Sequence, residues 1–135
     1  MFRFSAGTEY AIRAVLCVAQ SKGSLFIREI AEQEGVPKSF LSKLVQSLAR
    51  EGLLEARRGL HGGIRLARTK EKISILDILE ACEGPLRSPT CLLNHMAHCP
   101  REASCPIHEV WQKAQEGMMK VLSETKLSDL IHQEK

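Results

Sequence analysis

Near the start of the chain, apolar residues recur at helical spacing. Ile12, Val15, Leu16 and Ala19 follow the i, i+3, i+4, i+7 rule of one buried helix face. Ser5 is placed to cap this helix, which should end between Ser21 and Gly23. A shorter helix is predicted from Ile27 to Glu34 and stopped by Gly35, after which Val36-Pro37 turns the chain. The third helix should begin between Pro37 and Ser39. It carries Phe40, Leu41, Leu44, Val45 and Leu48 on one stripe and leaves Lys38, Ser39, Ser42, Lys43 and Gln46 facing out, until Gly52 ends it.

The period then shortens. Leu53-Leu54-Glu55-Ala56 and Ile64-Arg65-Leu66-Ala67 predict two short strands around the tip Arg57-Arg58-Gly59-Leu60-His61-Gly62-Gly63, a wing. Ser74-Ile75-Leu76-Asp77 has the form of a capping box and opens a helix through Ile78, Leu79 and Cys82 that Gly84-Pro85 closes. Residues 86–105 show no periodicity and are expected to be loop. From Pro106 a longer helix presents Ile107, Val110, Trp111, Ala114, Met118, Val121 and Leu122 close to a heptad seam, and a short terminal helix adds Leu127, Leu130 and Ile131. The seam could pair with a second copy or be buried against the chain's own first helix. The expected fold is mainly α with a small β wing. It comprises a winged helix-turn-helix over residues 1–84, a cysteine-bearing loop over 85–106, and a dimerisation helix plus terminal helix over 107–135.

Charge sharpens this picture. The 135 residues carry a net +3, but residues 36–70 hold eight basic side chains against Glu51 and Glu55, a local +6 that leaves the rest at −3. A helix, a tight turn and a second helix that starts with small polar residues is the arrangement that sets one helix in a DNA major groove, roughly 12 Å wide. Lys38, Ser39, Ser42, Lys43 and Gln46 would form the reading face. Arg57, Arg58 and His61 at the wing tip would reach a neighbouring minor groove or the backbone, with Gly59, Gly62 and Gly63 allowing close approach. A charged helix face alone is usually just solvated; the basic wing beside it points to double-stranded DNA.

The apolar stretches are broken by charge and Met1-Phe2-Arg3-Phe4 lacks a signal-peptide block, so the expected setting is cytoplasmic, without a membrane. In that reducing compartment, five cysteines suggest metal ligation or redox chemistry rather than bridges. Cys91, Cys99 and Cys105, with His108, form a thiolate-rich set that suits zinc or an iron-sulfur cluster. The lack of paired Cys-x-x-Cys knuckles favours the cluster. Cys105-Pro106 is expected at the N-cap and first turn of the long helix, with Cys105 and His108 sharing a face and the helix's positive end stabilising thiolates. Exposed, metal-free thiols that sense oxidation are the other reading. Cys17 and Cys82 sit in apolar helical stretches and read as small core residues, and His95 and His98 as solvated loop residues. With no glycine-rich cofactor loop and no nucleophile-base set, the chain does not read as an enzyme.

Over nearly its full length the chain resembles the IscR/NsrR, or Rrf-two, family of winged-helix repressors. The resemblance rests on Ser-x-Gly-x-x-Tyr-Ala from Ser5 to Ala11, Val36-Pro37-x-x-Phe40-Leu41, the run from Leu44 to Gly52, and Arg58-Gly59-x-x-Gly62-Gly63. It rests also on the three-cysteine loop, the Trp111 helix and the closing Leu127-Ser-Asp-Leu130. It implies a homodimer paired through the long helix, and promoter binding set by a cluster in the loop that responds to iron, redox state or nitric oxide. Cluster-binding members commonly have five or six residues between the first two cysteines, whereas seven intervene here. Cys105-x-x-His108 is similar to the members that hold [2Fe-2S] through three cysteines and a histidine. Members with [4Fe-4S] take a carboxylate from the partner's first helix, the position of Glu9, which reads equally as an ordinary first-turn acid. The resemblance therefore favours [2Fe-2S] on Cys91, Cys99, Cys105 and His108, with Glu9 as the alternative fourth ligand. A metal-free thiol regulator controlled by a docked metabolic enzyme is the alternative function.

Overall fold

Ser5 caps the first helix, its Oγ accepting from the Thr8 amide at 3.3 Å, and α1 runs Ala6–Gln20. The computed structural model describes residues 4–60, 62–86 and 100–131. Helix α2 spans Ile27–Glu34 and ends at Gly35, whose φ of 64° is the left-handed value that glycine adopts without strain. Helix α3 spans Lys38–Arg50. Its last carbonyls accept from the amides that follow, Leu53 N to Leu48 O at 2.9 Å and Gly52 N to Ala49 O at 3.0 Å, and the Arg68 guanidinium holds the turn after it, donating through Nε to Gly52 O and through Nη2 to Glu51 O, both at 3.2 Å.

Strands β1 (Leu54–Arg57) and β2 (Gly63–Leu66) form an antiparallel pair with Leu54 opposite Leu66 and Arg57 opposite Gly63. Both strands start one residue away from the expected positions. The register is unchanged: buried Leu53 still accepts at O from Ala67 N at 3.0 Å, and the ladder runs one pair further toward the tip, to Arg57 and Gly63. Leu25 exchanges both backbone bonds with Ile64, at 2.9 and 2.6 Å, so the wing is rooted in the segment that leads into α2. After a 3-10 turn at Lys70–Lys72, helix α4 (Ile75–Glu83) opens with the expected capping box. Asp77 N donates to Ser74 Oγ at 3.0 Å and Ser74 N to Asp77 Oδ2 at 2.9 Å. Helices α5 (His108–Glu124) and α6 (Leu127–Leu130) complete the chain, and a 3-10 turn at Glu102–Ser104 precedes α5.

One apolar cluster joins these elements. Ala11, Ala14 and Val15 of α1 are buried against Ile30, Leu41, Leu48, Leu53, Ile64, Ile73 and Ile78, and the two alanines keep the neighbouring helices close to α1. Leu127 is fully buried in the same cluster, held by Ile75 N to Thr125 O at 3.0 Å and Leu127 N to Ile73 O at 2.9 Å. The terminal helix thus returns to the winged domain. At the other end of α4, Glu83 accepts at Oε1 from Ser5 N, Ser5 Oγ and Thr8 Oγ1, pinning the end of α4 to the start of α1. The result is mainly helical with a two-stranded antiparallel wing, as the sequence pattern predicts.

Candidate nucleic-acid interface and cysteine site

Burial divides α3 along the stripe. Leu41, Val45 and Leu48 are buried, while Lys38, Ser39, Lys43 and Gln46 are exposed. Phe40 is partly exposed and stacks edge-on against Tyr10 of α1, with ring centroids 5.6 Å apart, which fixes the start of α3 on α1. Ser42 is half-buried and its Oγ donates back to Lys38 O at 3.0 Å, so in the free protein its hydroxyl serves its own helix.

At the wing, Arg57 and Arg58 are exposed, and Leu60 at the tip is 95 % exposed. Gly62 is buried, and its amide donates to Gly59 O at 3.0 Å. A Cβ there would lie 2.3 Å from Arg57 O and 2.7 Å from Arg58 C, so the residue is required for packing of the hairpin on itself. His61 lies outside the described residues.

The eight cations of residues 36–70 are not equivalent. Arg65 is paired with Glu55 across the strands at 2.9 Å and Arg68 holds the turn after α3. Lys38, Arg57 and Arg58 instead line a groove of about 590 Å³ between α2, α3 and the wing, together with Phe26, Ile27, Arg28, Ala56, Gly63 and Ile64. Arg28 was not singled out by the sequence reading. A signal was present nonetheless, because Arg28 and Lys38 both sit in the first turn of a helix, where the helix dipole disfavours a cation unless an anion compensates.

Of the expected cluster ligands, Cys91 and Cys99 lie outside the described residues. Cys105 and His108 are both half-buried, and His108 N donates to Cys105 O at 3.2 Å, closing one turn. The expected helix start is corrected: Cys105, expected at the N-cap, lies two residues before the observed N-cap, Ile107. The Cys105 backbone is extended (φ −82°, ψ 117°), and α5 starts at His108 because residues 105–108 close an i to i+3 turn, His108 N to Cys105 O, ahead of the first α-helical bond, Trp111 N to Ile107 O at 3.0 Å. Trp111, one turn beyond His108, has a buried indole Nε1 with no hydrogen-bond partner among the described residues. Among those residues no three His, Cys, Asp or Glu gather as a metal site. Glu9 is exposed on α1 and paired with Arg13 at 2.7 Å.

The other two cysteines behave as core residues. Burial pushes the Cys17 thiol up, helped by the charges of Glu34 and Glu29, and Cys17 Sγ donates to Gln33 Oε1 at 3.1 Å. Burial likewise raises Cys82, with Glu83 adding to the effect. Both thiols are held away from the thiolate form that binds metal.

The apolar seam of α5 divides into two faces. Trp111, Met118 and Leu122 are half-buried, Met119 is buried, and α5 packs on α4. Val110 (52 % exposed), Ala114 and Val121 (64 %) face outward with Gly117 on the same stripe; Ile107 is half-buried. No helix among the described residues is long and apolar enough to cross a membrane.

A family model described as "Rrf2: Iron-dependent Transcriptional regulator" matches residues 4–133. The chain belongs to the Rrf2 family. It is 33 % identical over 130 residues to Protein aau3 of Rhizobium meliloti (strain 1021), an alignment covering 96 % of this chain and 84 % of that protein. Two solved structures share the Rrf2 architecture. CymR, the global cysteine regulator of B. subtilis, superposes with a TM-score of 0.79 at 26 % identity, over 96 % of both chains. IscR of T. potens gives 0.73 at 26 % identity, over 96 % of this chain and 86 % of that one. This Rrf2 protein is therefore a DNA-binding transcriptional regulator rather than an enzyme.

Proposed function

We propose that this Rrf2 protein is a cytoplasmic, homodimeric repressor whose promoter affinity is set by an iron-sulfur cluster, [2Fe-2S] in preference to [4Fe-4S], on Cys91, Cys99, Cys105 and His108. The observation that carries this reading is the turn entering α5, where a half-buried thiol and a half-buried imidazole stand three residues apart. The donor chemistry fits: thiolate and imidazole are cluster ligands, and the unpartnered Trp111 N–H is a donor that sulfide or thiolate would satisfy. When bound, the cluster supplies a redox- and iron-sensitive charge at that turn.

The division of labour follows the expected segments, with residues 1–84 reading DNA, 85–106 sensing and 107–135 pairing. Lys38, Ser39, Lys43 and Gln46 face the major groove, and Ser42 joins them by releasing Lys38 O. Arg57, Arg58 and His61 reach the backbone or minor groove, while Gly62 keeps the tip closed. Ile107, Val110, Trp111, Ala114, Met118, Val121 and Leu122 form the pairing helix. Val110, Ala114 and Val121 give the outward stripe that a second copy would cover, while Trp111, Met118 and Leu122 are half-buried on a helix that packs against its own α4. Gln115 Nε2 donates to Leu86 O at 3.1 Å, tying α5 to the chain leaving α4, whose end is pinned to α1 by Glu83. A change at the α5 entry thus has a physical route to the reading head. Coupling of about 1–3 kcal/mol, typical of allosteric sites, would shift promoter affinity roughly 5- to 150-fold.

The likeness to CymR favours a second reading, a metal-free thiol regulator controlled by a docked metabolic enzyme. Iron and acid-labile sulfide per chain, measured with the visible spectrum on protein purified without oxygen, separate the two. Two of each, with absorption stripped or shifted in His108→Ala, is the expected result. Four of each with an unaltered His108→Ala spectrum transfers the fourth position to Glu9. No iron, with DNA binding intact, establishes the metal-free reading.

A further inference from the structure

The groove between α2, α3 and the wing has a composition that the reading face does not explain. Its rim carries four cations, Arg28, Lys38, Arg57 and Arg58, and its lining includes no carboxylate. None of the four is engaged in an ion pair or side-chain hydrogen bond among the described residues. Glu29, the nearest acid in sequence, is turned back onto α2, accepting from Phe26 N at 2.7 Å. The walls between the cations are apolar: Phe26, Ile27, Ala56 and Ile64. Phe26 is 41 % exposed there, a large ring left open to solvent.

Position supplies the occupant. When α3 lies in a major groove and the wing in the adjacent minor groove, one phosphodiester strand must pass between them, because that strand is the ridge dividing the two grooves. The space between the start of α3 and the wing is this groove. Its cations match phosphate oxygens and its apolar walls match deoxyribose edges.

We propose that the groove seats the DNA strand separating the two grooves and that Arg28, on α2, is a phosphate-binding residue of this regulator. The proposal rests on the DNA-binding reading and is independent of the cluster. Arg28 would hold the register of the complex without reading bases, since a phosphate contact fixes position and carries no sequence information.

The test compares wild-type protein, Arg28→Gln and Lys120→Gln by fluorescence anisotropy on a duplex selected from a random pool, between 50 and 200 mM salt. Lys120 is exposed on α5 and serves as a charge-matched control. Removing one phosphate contact should lower the slope of log K against log salt by about 0.9, so that Arg28→Gln loses about 3.5-fold less affinity across that range than wild type. Lys120→Gln should match wild type, and the preference for the selected duplex over random DNA should be unchanged in Arg28→Gln. A scan of single methylphosphonate substitutions along the duplex locates the contact. One position should weaken wild-type binding and leave Arg28→Gln unaffected. A wild-type slope in Arg28→Gln, or a methylphosphonate profile identical in the two proteins, overturns the assignment while leaving DNA binding by α3 and the wing intact. Absence of selective DNA binding by the wild-type protein overturns the underlying reading instead.

Discussion

Gly62→Ala is the most informative single substitution in the wing. Gly62 does not need glycine for its backbone dihedral, since it is not among the glycines with positive φ; it needs the space. An added Cβ would lie 2.3 Å from Arg57 O, 2.7 Å from Arg58 C and 2.8 Å from Arg57 C, all inside the 3.0 Å that Cβ contacts essentially never breach. These are backbone atoms, so no side chain can rotate away and the tip itself must open. That breaks the Gly62 N to Gly59 O bond and moves both arginines. Overpacking of this kind costs about 1–3 kcal/mol. The wing is rooted at Leu54 and Ile64 in the core, so the strain should be released at the tip rather than through global unfolding. If DNA binding requires the closed tip, its population falls by about 5- to 150-fold and the apparent Kd rises by the same factor. Anisotropy titration on a selected duplex, with thermal melting by circular dichroism in parallel, should give that loss with a Tm change of only a few degrees. Gly23→Ala, where a Cβ meets nothing within 4 Å, should bind as wild type. Wild-type affinity in Gly62→Ala would refute the requirement for the closed tip.

Two further substitutions test the frame that holds the reading head. Three hydrogen bonds, the one from the Thr8 hydroxyl foremost and those from Ser5 next, hold the Glu83 carboxyl below its ordinary range. A depressed folded pKa stabilises above the unfolded value, roughly 4.3, and that contribution is lost as pH falls through the folded value. Glu83→Gln should therefore melt below wild type at pH 7, and the gap should close as melts are taken down to pH 3; a gap independent of pH would contradict a role for the charge. Leu127→Ala deletes a fully buried side chain of the terminal helix. A cost of about 2–5 kcal/mol, lowering Tm by roughly 8–20 °C, is expected, and a fall of under ~2 °C would mean that α6 does not complete the core.

Much of this fold could be read from local pattern. The Ser5 and Ser74 caps, the Gly35 stop and the buried stripe Leu41, Val45, Leu48 are each decided by residues within a turn or two of one another, and all stand as expected. The differences lie at the ends of elements. The strand bounds differ by one residue because the ladder extends to the Arg57–Gly63 pair at the tip, in the expected register. Helix α5 has its N-cap at Ile107, two residues after the expected Cys105, because the turn from Cys105 to His108 closes i to i+3 before the α-helical bonds begin.

The sequence by itself determined the helix succession, the wing, the basic segment and the family motifs, since these depend on side-chain order and spacing alone. Tertiary structure decided which cations face a ligand. Composition counts Arg65 and Arg68 with Arg57 and Arg58, yet the first is paired with Glu55 and the second holds the turn after α3, while Arg28 joins Lys38 at the groove. It also decided which half of the α5 seam is used within the chain, and that Leu127 closes the core of a domain that begins at α1. Periodicity states that a stripe is apolar and charge states that a residue is cationic. Neither states what lies opposite, because Coulomb and burial energies depend on distances through space that only the folded chain sets.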